Sequence, residues 1–286
     1  MPVTLLGAAE IRALAADLDV TPTKKLGQNF VVDANTVRKI VQAATVTASD
    51  RVVEVGPGLG SLTLAILETG ASVTAVEIDH RLAARLPATA ELHGVPPGAL
   101  TVVDADALRV RTIPGDPKVL VANLPYNVSV PVLLHFLETF PGIERGVVMV
   151  QAEVGERLAA APGSKTYGSP SAKAAWYGPW RLTGTVSRQV FWPVPNVDSV
   201  LVGFSRDRQP RGSEQERRRT FAVIDAAFGQ RRKMLRQALS GLLGGSAASA
   251  SVVLESAGVS PTARGEQLSI DDFQGIAKAA PTSLGR

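Results

Sequence analysis

The 286-residue chain contains no cysteine. That absence excludes disulfides, thiolate nucleophiles and Cys-ligated zinc or iron–sulfur sites, and it is compatible with a reducing cytoplasm. Histidine is scarce too: His80, His93 and His135 are scattered along the sequence, so no metal site is expected. No apolar run approaches the ~20 residues that a membrane span needs. The N-terminal stretch carries Glu10, Asp17 and Asp19 and reads as neither a signal peptide nor an Arg-rich transit peptide. Internal repeats are lacking. These absences predict a soluble cytoplasmic protein with no membrane or metal partner.

What remains is ordinary globular composition, 45% hydrophobic and 20% charged. The length allows one large domain and a smaller one, each with its own core. The formal net charge of +4 is unevenly spread. Between Arg206 and Arg236 stand ten basic and four acidic residues, +6, which leaves −2 for the rest of the chain. Such a stretch suits a surface that neutralises phosphates, although a solvated helical face would look the same.

Residues 7–19 predict a short helix, and Asp33 is a good N-cap for a second over Ala34–Ala43. Short apolar runs then alternate with longer amphipathic ones. Arg51–Val55, Ser72–Glu77, Leu100–Val103, Lys118–Ala122 and Gly146–Gln151 read as buried strands. Ser61–Glu68 and Val130–Thr139 are helix-compatible segments between them. Continuous Val-rich strands alternating with helices predict a parallel α/β sheet covered on both faces. Ala161–Lys173 is rich in Gly, Pro and Ser and predicts a mobile loop. Strand-like segments follow at Leu182–Val190 and Ser199–Phe204. From Glu214 to Ala279 the period is helical, broken at Gly244–Ala250 and near Pro261. A domain boundary is placed near residue 207.

Three constellations carry chemistry. The first, Glu54-Val55-Gly56-Pro57-Gly58-Leu59-Gly60, runs out of a strand into a helix, where glycines let the backbone turn sharply and approach a nucleoside. Glu77 ends the next strand, 21 residues after Gly56, where an acid accepts hydrogen bonds from ribose hydroxyls. The spacing G-x-G-x-G differs from the G-x-G-x-x-G that seats a pyrophosphate and leans toward S-adenosylmethionine. The second is Asp106-Ala107-Leu108 after the third strand. Asp106 can accept from an adenine amino group and Ala107 leaves room for the ring; a plain acidic turn is the alternative. The third is Asn123-Leu124-Pro125-Tyr126 at the end of the fourth strand. Adenine N6 is a poor nucleophile because its lone pair is delocalised. The Asn123 side-chain oxygen and the Leu124 carbonyl can each accept one N6 hydrogen. Pro125 fixes φ and brings no competing donor. The Tyr126 ring can stack on the base. Catalysis of this kind rests on orientation and fixed dipoles, with no general base.

These stretches, with Leu26–Phe30 (LGQNF), Tyr167-Gly168, Phe191–Ser199 (FWPVPNVDS), Ala227–Arg236 (AFGQRRKMLR) and Arg264–Ser269 (RGEQLS), resemble the KsgA/RsmA small-subunit rRNA adenine dimethyltransferases. That family is related to the Erm methyltransferases and the mitochondrial transcription factor B proteins. The match runs from residue 26 to about 269. The Phe-Gly-Gln-Arg-Arg-Lys stretch and the helical C-terminus favour the KsgA branch. Two positions depart from the family pattern: Gln237 stands where it has Asn, and Asn196 where it has a more basic residue.

The resemblance implies a Rossmann-like class I S-adenosyl-L-methionine-dependent methyltransferase domain, residues 1–207, and a small helical RNA- or ribosome-binding domain, residues 208–286. It implies that Gln28, Asn29 and Val31 close over the cofactor and that Gly56, Gly58, Glu77, Ile78, Asp106, Ala107 and Asn123 bind it. Phe191 would face Tyr126 across a flipped adenine. Lys24, Lys25, Arg231, Arg232, Lys233 and Arg236 are the candidate RNA contacts. The implied substrate is a pair of adjacent adenosines in the 3′-terminal hairpin loop of 16S rRNA, within an immature small ribosomal subunit. The enzyme is expected to act as a monomer. Two other readings stay open at this point: an Erm-like enzyme acting on large-subunit RNA, and a non-catalytic assembly or transcription factor that keeps the fold.

Overall fold

A computed structural model describes residues 2–20, 29–125 and 127–281. Helix α1 (Ala8–Asp17) and strand β1 (Phe30–Val31) precede α2 (Ala34–Ala43). The alternating region follows as β2 (Arg51–Val55), α3 (Ser61–Leu67), β3 (Ser72–Glu77), α4 (His80–Leu92), β4 (Leu100–Asp104), β5 (Val119–Asn123), α5 (Ser129–Thr139) and β6 (Arg145–Gln151). Then come α6 (Ala152–Leu158), α7 (Ser169–Ala175), β7 (Trp180–Val186), β8 (Phe191–Trp192) and β9 (Ser199–Ser205). Four helices complete the chain: α8 (Glu214–Gly229), α9 (Leu235–Ala238), α10 (Ala247–Ser256) and α11 (Ile270–Ala279).

By contacts the chain divides into two compact units. The first comprises Met1–Gly155 and Arg181–Arg206, the second Glu156–Trp180 and Asp207–Arg286. The chain therefore crosses between them near 207, where composition suggests a boundary, and twice more around 155 and 180, where it gives no sign.

The first unit is built on a seven-stranded sheet of order β4-β3-β2-β5-β6-β9-β7. β2 pairs in parallel with β3 and β5, β3 with β4, and β5 with β6, while β9 runs antiparallel to β6. This is the parallel α/β sheet that the Val-rich runs predict. Val52, Val73, Val119, Val121 and Val147 join Ile40, Ile66 and Leu86 in one buried cluster under the flanking helices. The parallel register brings the carboxyl ends of β2, β3, β4 and β5 to one edge, with Glu77 opposite Asp104. In a doubly wound sheet that edge holds the ligand crevice. A separate two-stranded ribbon pairs β1 antiparallel with β8, Phe30 opposite Trp192 and Val31 opposite Phe191.

The second unit is helical. α8 opens on a capping box in which Ser213 and Glu216 satisfy each other's backbone N–H groups, and α11 repeats the device with Ser269 and Asp272. The segment 161–173, expected as a mobile loop, is held down instead. Gly163 N donates to the Glu266 carbonyl at 2.7 Å, and the buried Tyr167 hydroxyl to the Leu268 carbonyl at 2.8 Å. α7 begins at Ser169 because Pro170 suits a first helical turn and the Ser171 hydroxyl accepts from Gly168 N at 3.0 Å. The Gly-Ser-Pro run that reads as a breaker is a helix start. Among the described residues, no helix is long and apolar enough to cross a membrane.

Candidate active site

At the carboxyl edge of the sheet lies a cavity of about 290 Å³ lined by the β2–α3 loop, the ends of β3 and β5, the 106–108 turn and β1. Gly56, Gly58 and Gly60 of the β2–α3 loop all take positive φ. At Gly58 the requirement is double. Its φ is +59°, and a Cβ there would meet Phe30 Cε1 at 2.9 Å, so only glycine lets the Phe30 ring lie on the loop.

Glu77 is buried at the end of β3. One carboxylate oxygen accepts from Gly58 N at 3.0 Å; the other accepts from Ile78 N at 2.9 Å and Asp79 N at 3.0 Å. Burial raises its pKa, and the three backbone N–H donors oppose that rise. The carboxylate is thus held rigidly, with residual acceptor capacity for whatever fills the cavity it lines. Ile78 also lines the cavity yet is 53% exposed, an apolar surface suited to a flat ring. Asp106, Ala107 and Leu108 line it as well, the turn being fixed by Leu108 N donating to the Asp106 carboxylate at 2.8 Å.

Asn123 closes β5. Its side-chain Nδ2 donates to the Asn29 carbonyl at 3.2 Å, which leaves its oxygen as the unused end of the amide. Leu124 N donates to the Met149 carbonyl of β6 at 3.1 Å. No backbone N–H among the described residues takes up the Leu124 carbonyl. Pro125 follows without a donor, and Asn123, Leu124 and Pro125 all line the cavity. Two acceptors beside a cavity that contains a buried acid and an exposed Ile are an arrangement for an amino-bearing base near a nucleoside-like ligand.

The description "Ribosomal RNA adenine dimethylase" belongs to a family model that matches residues 21–280. The chain belongs to the ribosomal RNA adenine dimethylase family. It is 65% identical over 274 residues to the Ribosomal RNA small subunit methyltransferase A of Leifsonia xyli subsp. xyli, covering 96% of this chain and 98% of the relative. Among solved structures it resembles a dimethyladenosine transferase from Plasmodium falciparum, with a TM-score of 0.73 and 24% identity over 85% of this chain and 94% of that one. The 23S rRNA methyltransferase ErmE aligns with a TM-score of 0.65 and 24% identity over 88% and 99%. The fold is that of the class I methyltransferases, and membership of the adenine dimethylase family makes the chain a methyltransferase.

Of the dimethylase-site residues expected from sequence, Asn29, Val31, Gly56, Gly58, Glu77, Ile78, Asp106, Ala107, Asn123, Leu124 and Pro125 gather on this one cavity. Gln28 and Tyr126, with Lys24 and Lys25, lie outside the described residues. Phe191, expected to face Tyr126, is not among the residues that line this cavity. It is 2% exposed and packs into the core with Val37, Val186 and Leu201, because alternation along β8 turns it inward and turns Trp192 to the other side.

Glu54, Ser61 and Phe30, to which the sequence alone assigns no role of their own, also line the cavity. Glu54 had a readable signal, being an acid set between valines on the buried stretch of its strand. It is 1% exposed, and burial, reinforced by the like charge of Glu77, raises its carboxyl to about 8. Among the described residues, Glu54 Oε2 and Ser61 Oγ are buried with no hydrogen-bond partner, and the Thr63 hydroxyl beside Glu54 opposes part of the rise.

In the second unit most of the charge seen in 206–236 is already engaged. Arg211 pairs with Asp207 and Asp271, Arg217 and Arg218 with Glu214, and Arg231 with Glu266; Arg219 donates to the carbonyls of Ala277 and Ala280. Arg232, Lys233 and Arg236 have no ion pair among the described residues. Leu235 N and Arg236 N bond to the carbonyls of Ala263 and Pro261, which brings Arg264 alongside, and Arg231 holds the Lys165 carbonyl at 3.1 Å. Lys165 and Arg264, unremarked in sequence, therefore extend the basic tip.

Proposed function

We propose that this dimethylase transfers methyl groups from S-adenosyl-L-methionine to N6 of two adjacent adenosines in the 3′-terminal hairpin loop of 16S rRNA, giving N6,N6-dimethyladenosine in each. The observation that carries the reading is the pair of oriented acceptors at the end of β5, Asn123 turned by its bond to Asn29 and Leu124 anchored by its N–H on the Met149 carbonyl, with no described backbone N–H on its own carbonyl. The small-subunit name of a relative 65% identical supports the choice of RNA.

The cavity fits the cofactor. Orphaned polar atoms on Glu54 and Ser61 match an ammonium group, Glu77 a ribose, and Ile78, Asp106 and Ala107 an adenine. Bound there, the cofactor supplies a sulfonium-activated methyl group. The chain's own part is orientation. The Asn123 oxygen and the Leu124 carbonyl each accept an N6 hydrogen, which localises the nitrogen lone pair and aims it. Pro125 adds no competing donor. Tyr126 stacks on a base taken out of its helix, as chemistry on a base edge requires. The methylated amine loses its proton to water, so no side-chain base takes part. Arg232, Lys233 and Arg236 engage phosphates of the maturing small subunit, with Lys24 and Lys25 contributing as well, while Arg231, paired with Glu266, braces the tip. The enzyme works as a cytoplasmic monomer.

Small subunits from a strain lacking the gene, tritiated cofactor and purified protein test this. Label recovered as N6,N6-dimethyladenosine from small-subunit RNA, approaching two methyls on each of two adenosines, is the expected result. Asn123→Ala should abolish labelling with the thermal transition unchanged. Retained activity in that variant refutes the mechanism. Label confined to large-subunit RNA would place the protein with the ErmE-like enzymes, and no label in either would leave a binding factor.

A further inference from the structure

We infer that the β1–β8 ribbon sets the direction of the Asn123 amide, and that Trp192 is the positioning residue that holds the ribbon in place. The inference rests on the reading of Asn123 as an acceptor for N6.

The two ends of an Asn side chain have opposite hydrogen-bonding roles, so the amide is useful in one orientation only. Presented the other way, its NH₂ would face the amino group of the base, donor against donor. A backbone carbonyl can only accept. The Asn29 carbonyl, 3.2 Å from Asn123 Nδ2, therefore selects the orientation that leaves the oxygen for substrate. The chemistry of Asn123 thus depends on where Asn29 stands.

One hold on Asn29 comes through its neighbour. Phe30 is buried, and its ring lies between the Gly58 backbone and the Trp192 indole. The Phe30 and Trp192 rings stack at 6.3 Å and 25°, within the range in which offset aromatic pairs attract. The two residues are register partners, and Val32 N continues the ladder to the Val190 carbonyl at 2.8 Å. Trp192 is not among the residues lining the cavity. It acts through Phe30 and Asn29. Without the indole, Phe30 has room to leave Gly58, the Asn29 carbonyl moves, and the amide loses its preferred direction. Removing a single preoriented group from an electrostatic site costs on the order of 10²–10³ in rate. Loosening one should cost about tenfold.

Kinetics are measured on small subunits lacking the modification with Trp192→Ala, Trp192→Phe and Asn123→Ala. Trp192→Ala should lower kcat about tenfold with the KM for RNA unchanged, and Trp192→Phe, which keeps a ring on Phe30, should recover to within about threefold. A kcat for Trp192→Ala within twofold of the parent overturns the inference. Loss of activity in Asn123→Ala beside a normal Trp192→Ala sinks the ribbon alone; an active Asn123→Ala sinks the underlying reading as well. Should Trp192→Ala fail to fold, the parent protein still decides. Under [¹⁵N]asparagine labelling of the five asparagines, the Asn123 side-chain amide is assigned by its loss in Asn123→Ala. It should exchange at least tenfold more slowly than the amide of exposed Asn35, and Trp192→Phe should keep that protection. Equal exchange rates for Asn123 and Asn35 in the parent overturn the inference outright.

Discussion

Glu54 concentrates the conflict between stability and function in one side chain. It sits in the middle of a parallel sheet between Val53 and Val55, and among the described residues its Oε2 has no hydrogen-bond partner. Burial raises its pKa to about 8, against an ordinary value of 4.5. The sign of the consequence follows. Between pH 4.5 and 8 the folded chain holds a proton that the unfolded chain has released, so raising the pH through this window favours unfolding. Below it the group is neutral in both states and costs nothing; above it the full penalty is present. Glu54→Gln keeps the shape and has the Ser61 and Thr63 hydroxyls beside it as acceptors. The variant should match the parent near pH 4.5 and exceed it by a few kcal/mol near pH 8.5. Denaturant melts across that range, without cofactor, provide the comparison. A constant difference between the two proteins would mean that Glu54 does not titrate there. Single residues differ in how legible they are from sequence. Glu77, Asp106 and Asn123 stand at strand ends, where chain order alone predicts a crevice. Phe191 is buried, and its facing is not legible in sequence, because in a two-residue strand it depends on the partner β1 and not on the strand's own pattern.

Elements are legible in proportion to how much local chemistry defines them. α2 begins at Ala34 as expected because Asp33 accepts from Thr36 N at 2.7 Å, a cap written in the sequence. β2 and β3 match their predicted bounds because both faces are buried and the runs are continuous. α4 escapes a reading by periodicity, since Pro87 interrupts an alanine-rich segment that only Asp79 marks as a helix. Segment 161–173 was misread for the opposite reason. Its Gly, Ser and Pro signal mobility, while its order comes from partners about a hundred positions away. Tyr167 is the main one, its hydroxyl bonded to Leu268 and burial raising its pKa to about 12. Its ring lies 6.0 Å from Phe228, which in turn lies 6.0 Å from Phe273. Tyr167→Phe keeps the ring packing and leaves the Leu268 carbonyl buried without its donor. The expected cost is about 1–3 kcal/mol of stability, read from the denaturant midpoint. Faster proteolysis within 161–168 should accompany it. No change in either would mean that the segment is held by its backbone bonds alone.

At the scale of the whole molecule, the net charge of +4 says little, and its placement says more. Six of the ten cations between Arg206 and Arg236 are held by acids or carbonyls in ways that stabilise helices, so a count along the sequence overstates the surface available to RNA. Of the four that remain, Arg208 lies apart in sequence, and Arg232, Lys233 and Arg236 form the tip left for phosphates, with Arg264 beside it. Each cation that neutralises a phosphate displaces condensed counterions, so the logarithm of affinity falls with the logarithm of salt in proportion to the number of such contacts. Replacing Arg232, Lys233 and Arg236 with Gln should therefore do two things to binding of the unmodified small subunit. It should weaken binding at low salt, and it should make the salt slope shallower by about two. Cofactor affinity should not change, because the residues assigned to the cofactor belong to the first unit. Titrations between 50 and 200 mM salt, on the order of the range where such slopes are steep, separate the alternatives. A variant that binds more weakly with an unchanged slope has lost shape or folding, and one with an unchanged affinity and slope shows that the tip meets no phosphate. Only the shallower slope, with cofactor binding intact, matches a helical unit that grips RNA while the first unit performs the transfer.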